Sequence, residues 1–175
     1  MATDAGMLVL WDPQGFEAVV DDETWEDELL EVEDIAPHVQ AGSLVPLNVG
    51  GDGAFSVLVR VGTAAAPAAL TERETAQQLV ASQPYLFVSR GRALVSGIED
   101  VRGDASESVI EHPVPEGRCA VVVHLIDWQA EAGSQDEEGQ PVPGALPDFV
   151  VLINPVQPGQ GTFRTAVNTF EAPNG

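Results

Sequence analysis

Nine of the fourteen residues from Asp21 to Asp34 are Asp or Glu. Carboxylates at that density can do two kinds of work. A pair at suitable separation can act as general acid and base, as in glycoside hydrolysis. An unpaired array can occupy a basic groove on another macromolecule through complementary potential. Nothing in the spacing singles out one catalytic pair among the 28 acidic residues of the chain. The other reactive side chains are sparse. His38, His112 and His124 fall on separate segments, and Cys119 is the single cysteine. No Gly-rich phosphate loop, no His-Glu-x-x-His pair and no nucleophile elbow is present. The acidic run Asp136-Glu137-Glu138 lacks the alternating ligand spacing of a calcium loop. These residues predict a non-enzymatic protein without a metal or cofactor.

The elements that must position the acids can be read from the same segments. Trp25, Leu29, Val32 and Ala36 recur at helical spacing. They predict one short amphipathic helix near residues 23–35, with Thr24 and Asp27 at its start, stopped by Pro37. Its outward face carries Asp22, Glu23, Glu26, Asp27, Glu28 and Glu31. Elsewhere, Gly and Pro divide the chain into short apolar segments. Residues 7–11 and 16–20 read as the first strands, joined by a turn at Asp12–Gly15. Residues 43–49 and 54–61 read as a hairpin about Gly50–Gly53, with Phe55, Val57, Val59 and Val61 on one face. Ala64–Leu70 reads as a surface loop, and Thr71-x-x-Glu74 as a capping box. Whether the residues that follow are helical or extended is open. Tyr85–Ser89 and Ala93–Ile98 read as a strand pair, followed by Glu107–His112. Cys119–Trp128 is apolar on both faces and should be central. Glu131–Gly144 reads as a long loop, and Pro147–Asn154 as the last strand.

The fold predicted is an all-β antiparallel sandwich of roughly eight to ten strands with that one helix. Residues 1–156 form a single domain, and 157–175 a weakly structured C-terminal tail. Trp11, Trp25, Trp128 and Tyr85 are expected mainly in the core, or at a ligand pocket at one end of the sheets.

The chain of 175 residues has seven basic residues, all arginine, and a formal charge of −21. That charge excludes nucleic-acid binding of the usual basic kind. It also argues against an anionic membrane surface. The N-terminus, Met1-Ala2-Thr3-Asp4, has no basic signal region, and the apolar run Met7–Trp11 is too short to span a bilayer. A cytoplasmic protein is expected.

Several stretches carry a family likeness. They are Trp25-Glu26-Asp27-Glu28-Leu29-Leu30; Gly42-Ser43-Leu44-Val45-Pro46-Leu47 with the strand Ala54–Val61; Gln83–Val88 running into Ala93–Ile98; Pro113–Val121; and Leu146–Val151. From about Phe16 to Val156 the chain resembles competence protein J, the inhibitor of a bacterial DNA-entry nuclease. The resemblance implies a β fold and an inhibitory role, and it assigns no inhibitory residue to a position here. The Ala/Pro loop, the acidic loop and the tail make this chain longer than expected for that family.

Two functions are weighed. In the first, the acidic helix, followed by Asp136, Glu137 and Glu138, blocks the basic cleft of a protein such as a nuclease. In the second, the protein is a small-ligand-binding or regulatory sandwich, and its acidity serves solubility or salt adaptation. An enzyme with dispersed carboxylates is the weakest reading.

Overall fold

The computed structural model describes residues 1–103, 109–159 and 161–170. It is β-rich. The elements in chain order are β1 (Ala2–Thr3), β2 (Met7–Trp11), α1 (Asp22–Leu29), α2 (Val32–Ala41), β3 (Leu44–Asn48), β4 (Gly53–Ala54), β5 (Val57–Val61) and α3 (Glu72–Ala76). Then come β6 (Gln78–Ala81), β7 (Tyr85–Ser89), β8 (Arg92–Gly97), β9 (Ile110–Pro113), β10 (Gly117–Ile126) and β11 (Phe149–Pro155).

One sheet has the order β3-β2-β8-β9 and is antiparallel throughout. All five residues of β2 are buried, so both faces of this sheet are covered there. The second sheet is built around β10. One side of β10 pairs with β11 from Cys119 to Leu125. Its other side takes β7 along Gly117–Val121 and β6 along His124–Ile126. A ten-residue strand is long enough to hold two partners end to end. β5 closes the opposite side by pairing with β11 in parallel, which departs from the expected antiparallel pattern. β1 and β4 form a separate two-stranded ribbon.

The apolar residues of β2, β3 and β8 share one buried cluster with Tyr85, Phe87, Val121, Val123, Val151 and Ile153 of the second sheet. Leu29, Ile35 and Val39 of the helices join it. Phe55, Val57, Val59 and Val61 pack against it together, as their alternation requires. A smaller cluster of Ile126, Leu146, Val150 and Leu152 is covered by Ala68, Leu70 and Trp128.

Several expectations are corrected. Residues 16–20 form no strand. Pro13–Gly15 is a turn of 3-10 helix capped by the Asp12 side chain, and Phe16 and Val19 then enter the core. The expected single helix is two. The first ends at Leu29, and the second carries Pro37 inside it and stops at Gly42, whose φ of 79° suits glycine. Pro37, six residues into the helix, has no N–H to donate to the carbonyl of Glu33, a residue at the exposed surface. Gly50–Gly53 is not a hairpin turn, because β3 and β5 lie in different sheets. Likewise β7 and β8 do not pair; Arg90 and Gly91 carry the chain from one sheet to the other. In these last two cases the sequence pattern reveals the strands, while the shared core selects their neighbours.

The capping box at Thr71 forms with both reciprocal bonds, and the chain turns extended at β6. Of the expected strand Glu107–His112, residues 107–108 lie outside the described residues, as do residues 171–175 of the tail. Within the tail, residues 161–170 form no helix or long strand, yet they are held. Tyr85 Oη donates to Ala166 O at 2.9 Å, and Thr169 Oγ1 donates to Pro46 O at 2.9 Å while accepting from Asn48 N at 2.8 Å. Among the described residues, no helix is long and apolar enough to cross a membrane.

Candidate functional site

The acidic helix α1 is fixed at its start by Asp21. Its carboxylate accepts from the Thr24 amide at 2.9 Å, and the Thr24 hydroxyl returns a bond from the Asp21 amide at 3.1 Å. The helix therefore begins earlier than the Thr24 start read from sequence. The Thr24 backbone N–H, then its hydroxyl, hold the Asp21 carboxyl below its ordinary range. Trp25 Nε1 donates to Ile98 O at 2.9 Å, and Leu29 is buried, so the inward face is tied to the turn that follows β8 and to the core.

Asp22, Glu23, Glu26, Asp27, Glu28 and Glu31 are all exposed, as the helical spacing predicts. Two of them have nitrogen-bearing neighbours. Arg102 Nη2 lies 2.6 Å from Asp22 Oδ1, and His38 Nε2 lies 2.9 Å from Glu28 Oε2. The His38 ring rests on Phe16, with centroids 4.6 Å apart. Among the described residues, Glu23, Glu26, Asp27 and Glu31 have no basic partner. Apolar residues interrupt this surface: Val20, Leu30 and Val32 are exposed by 64%, 55% and 55%. The helical spacing predicts Val32 on the inward face, but the chain breaks before it and it opens α2 exposed. A cleft of about 230 Å³ opens beside Trp25, lined by Asp22, Glu26, Glu99 and Arg102.

Asp136, Glu137 and Glu138 are also exposed, in a loop closed by an isolated bridge between Gln135 and Pro141. Asp136 Oδ1 accepts from the amides of Glu138 and Gln140, so this acid shapes the loop. Among the described residues, no hydrogen bond or ion pair joins it to α1. The two predicted acidic groups are separate features.

A second cleft, of about 430 Å³, lies beside that loop. Ser56, Trp128, Gln129, Gln140, Leu146 and Asp148 are among its walls. Asp148 Oδ1 accepts from Trp128 Nε1 at 2.9 Å, and Oδ2 from the Ser56 amide at 2.7 Å. Sequence reasoning gave Asp148 no role, because its partners lie 20 and 92 positions away. Of the four aromatics weighed as pocket residues, Trp25 and Trp128 line clefts, whereas Trp11 and Tyr85 are fully buried.

Burial pushes the His124 imidazole below its ordinary value, against the pull of Glu74, and its Nδ1 sits 2.9 Å from Gln78 Oε1. Burial lowers His112 and raises the Cys119 thiol. Arg60, Arg73, Arg90, Arg92 and Arg102 each face a carboxylate of the chain itself. Among the described residues, no three His, Cys, Asp or Glu side chains gather as a metal site would require.

No protein-family model matches this sequence, and no curated protein matches it. A solved structure titled "Crocagin biosynthetic gene J" shares the fold, with a TM-score of 0.56 over 90% of this chain and 94% of that one. The two sequences are 18% identical, so the likeness extends to the fold alone.

Proposed function

We propose that this chain is a non-enzymatic binding protein whose acidic α1–α2 surface docks on a basic cleft of a partner protein. The partner that the sequence resemblance suggests is a nuclease, blocked because the carboxylates stand in for DNA phosphates. One observation carries the reading: Glu23, Glu26, Asp27 and Glu31 stand exposed and without basic partners on a helix pair fixed by Asp21, Trp25 and Leu29. A preorganised array loses little freedom on binding. The exposed Val20, Leu30 and Val32 among the acids supply the apolar component that interfaces bury at their centre.

The scaffold in this reading is a β-sandwich. The core cluster shared between the four- and five-stranded sheets supports that description. Cytoplasmic residence belongs to the same proposal; the one cysteine is free and buried, so the fold needs no oxidising compartment.

The test is inhibition of a cognate DNA-entry-type nuclease by the purified protein at low and high ionic strength. Inhibition at low salt that weakens steeply with added salt supports the reading. Full nuclease activity at low salt, with the protein in excess, refutes it.

A further inference from the structure

We propose that the cleft beside Trp128 binds an organic cation, an alkylammonium or guanidinium group, with the Asp148 carboxylate as its counter-ion. The inference goes beyond the docking of α1 and does not depend on it.

The cleft holds about 430 Å³, within the range of small-ligand sites. Asp148 is half-buried in its wall. Its oxygens receive two neutral donors, the Trp128 indole N–H and the Ser56 amide, which hold the carboxylate in place without neutralising it. Each carboxylate oxygen has two acceptor sites, so each keeps one for a ligand. Among the described residues, no basic side chain pairs with Asp148.

The rest of the wall fits the same ligand. An indole ring offers the π-electron density that ammonium and guanidinium groups seek. Gln129 and Gln140 also line the cleft, and a glutamine amide carries a carbonyl acceptor. Among the described residues no arginine lines the cleft, and Asp136, Glu137 and Glu138 precede its Gly139-Gln140 wall directly, so an anion would be repelled. A neutral polyol would leave the half-buried charge uncompensated.

The chain contains its own comparison. The cleft beside Trp25 also joins a tryptophan to carboxylates, and there Arg102 is already seated against Asp22. The cleft beside Trp128 has the same components without the guanidinium.

The experiment follows the indole N–H signals of the ¹⁵N-labelled protein. The Trp128 signal is assigned by its loss in Trp128→Phe. Two probes are titrated separately at low salt: 1,5-diaminopentane and the peptide acetyl-Gly-Arg-Gly-amide. Either cation should move the Trp128 signal saturably, with a Kd on the order of 1 mM or tighter, while the Trp11 signal stays still. Asp148→Asn should weaken that response about tenfold or more, with the Trp11 and Trp25 signals reporting that the fold is kept. Should that variant fail to fold, Gln140→Arg places a cation in the cleft; it should displace the Trp128 signal without ligand and remove the response to both probes. A stronger response to the diamine assigns the site to free small molecules, and a stronger response to the peptide assigns it to a protein side chain. The inference is overturned if neither cation moves the Trp128 signal, or if sorbitol or matched sodium chloride moves it equally. Neutralising Glu26 and Asp27 on α1 should leave this response intact, which separates its failure from that of the docking proposal.

Discussion

Arg60 on β5 grips Glu74 on α3 with both ends of its guanidinium, Nη1 to Oε2 at 2.7 Å and Nη2 to Oε1 at 2.6 Å. Glu74 is 2% exposed, and the same carboxylate accepts the Thr71 amide at 2.8 Å to cap its helix. One residue thus closes a helix and ties it to the edge strand of the second sheet.

The pair sets a pH dependence. The Arg60 hydrogen bonds, with help from the Thr71 amide and hydroxyl, hold the Glu74 carboxyl at about 2 against an ordinary 4.5. The folded state therefore binds this proton less readily than the unfolded chain. The stabilisation is complete above the unfolded value and is lost as pH falls through the folded one. Urea unfolding should show stability declining from about pH 4.5 towards 2, with a shallower decline in Glu74→Gln. Arg60→Met leaves the buried carboxylate alone and should cost about 3 kcal/mol at pH 7, and less at pH 4, where Glu74 can take up a proton.

Trp11 is fully buried, and its Nε1 donates to Ser96 Oγ at 3.1 Å; Ser96 in turn donates to Gly97 O at 2.8 Å. Both side chains are sealed from water between β2 and β8. Ser96→Ala should leave the indole N–H unpaired and cost about 2 kcal/mol in urea unfolding. A loss below roughly 0.5 kcal/mol would mean that the indole finds another acceptor.

Thr169 bonds to both the Pro46 carbonyl and the Asn48 amide of β3, an outer strand of the first sheet. Thr169→Val keeps the shape and removes both bonds. It should cost about 2 kcal/mol and speed hydrogen exchange at the Asn48 amide selectively. Uniform acceleration along β3 would instead indicate loss of the whole edge.

The two kinds of element differed in how far their sequence revealed them. Most strands declared themselves by local alternation, as Phe55 to Val61 did, and the Thr71–Glu74 box was legible because its two members are three residues apart. Pairings were not legible. The turn at Arg90-Gly91 is indistinguishable in composition from a hairpin, and only the buried partners of Tyr85 and Phe87 send β7 to β10. The tail went unseen for the same reason: Thr169 has no pattern of its own and meets its partners more than a hundred residues away. The carboxylates of α1 were legible from helical spacing alone. Asp148 was not, since a single acid just ahead of an apolar strand gains its meaning from Trp128 and Ser56.

The last turn of α1 holds Glu26, Asp27 and Glu28 and no basic residue of its own. Carboxylates there face the negative end of the helix dipole, and Glu26 and Asp27 each stand four residues from another acid, Asp22 and Glu23, which repel them. Glu28 Oε2 meets His38 Nε2 at 2.9 Å, whereas Glu26 and Asp27 have no such partner among the described residues. If these two acids serve docking, they do so at a cost to the free protein. Glu26→Gln with Asp27→Asn should therefore raise Tm slightly at low salt, and the gain should vanish at high salt as the repulsion is screened. The same double variant should associate more slowly with a basic partner, because steering acts mainly on the association rate. Paired measurements of Tm and association rate across a salt series decide the matter. A variant that is more stable and slower to bind has given up carboxylates kept for docking; one that is more stable and binds equally fast shows that docking uses some other surface of the molecule.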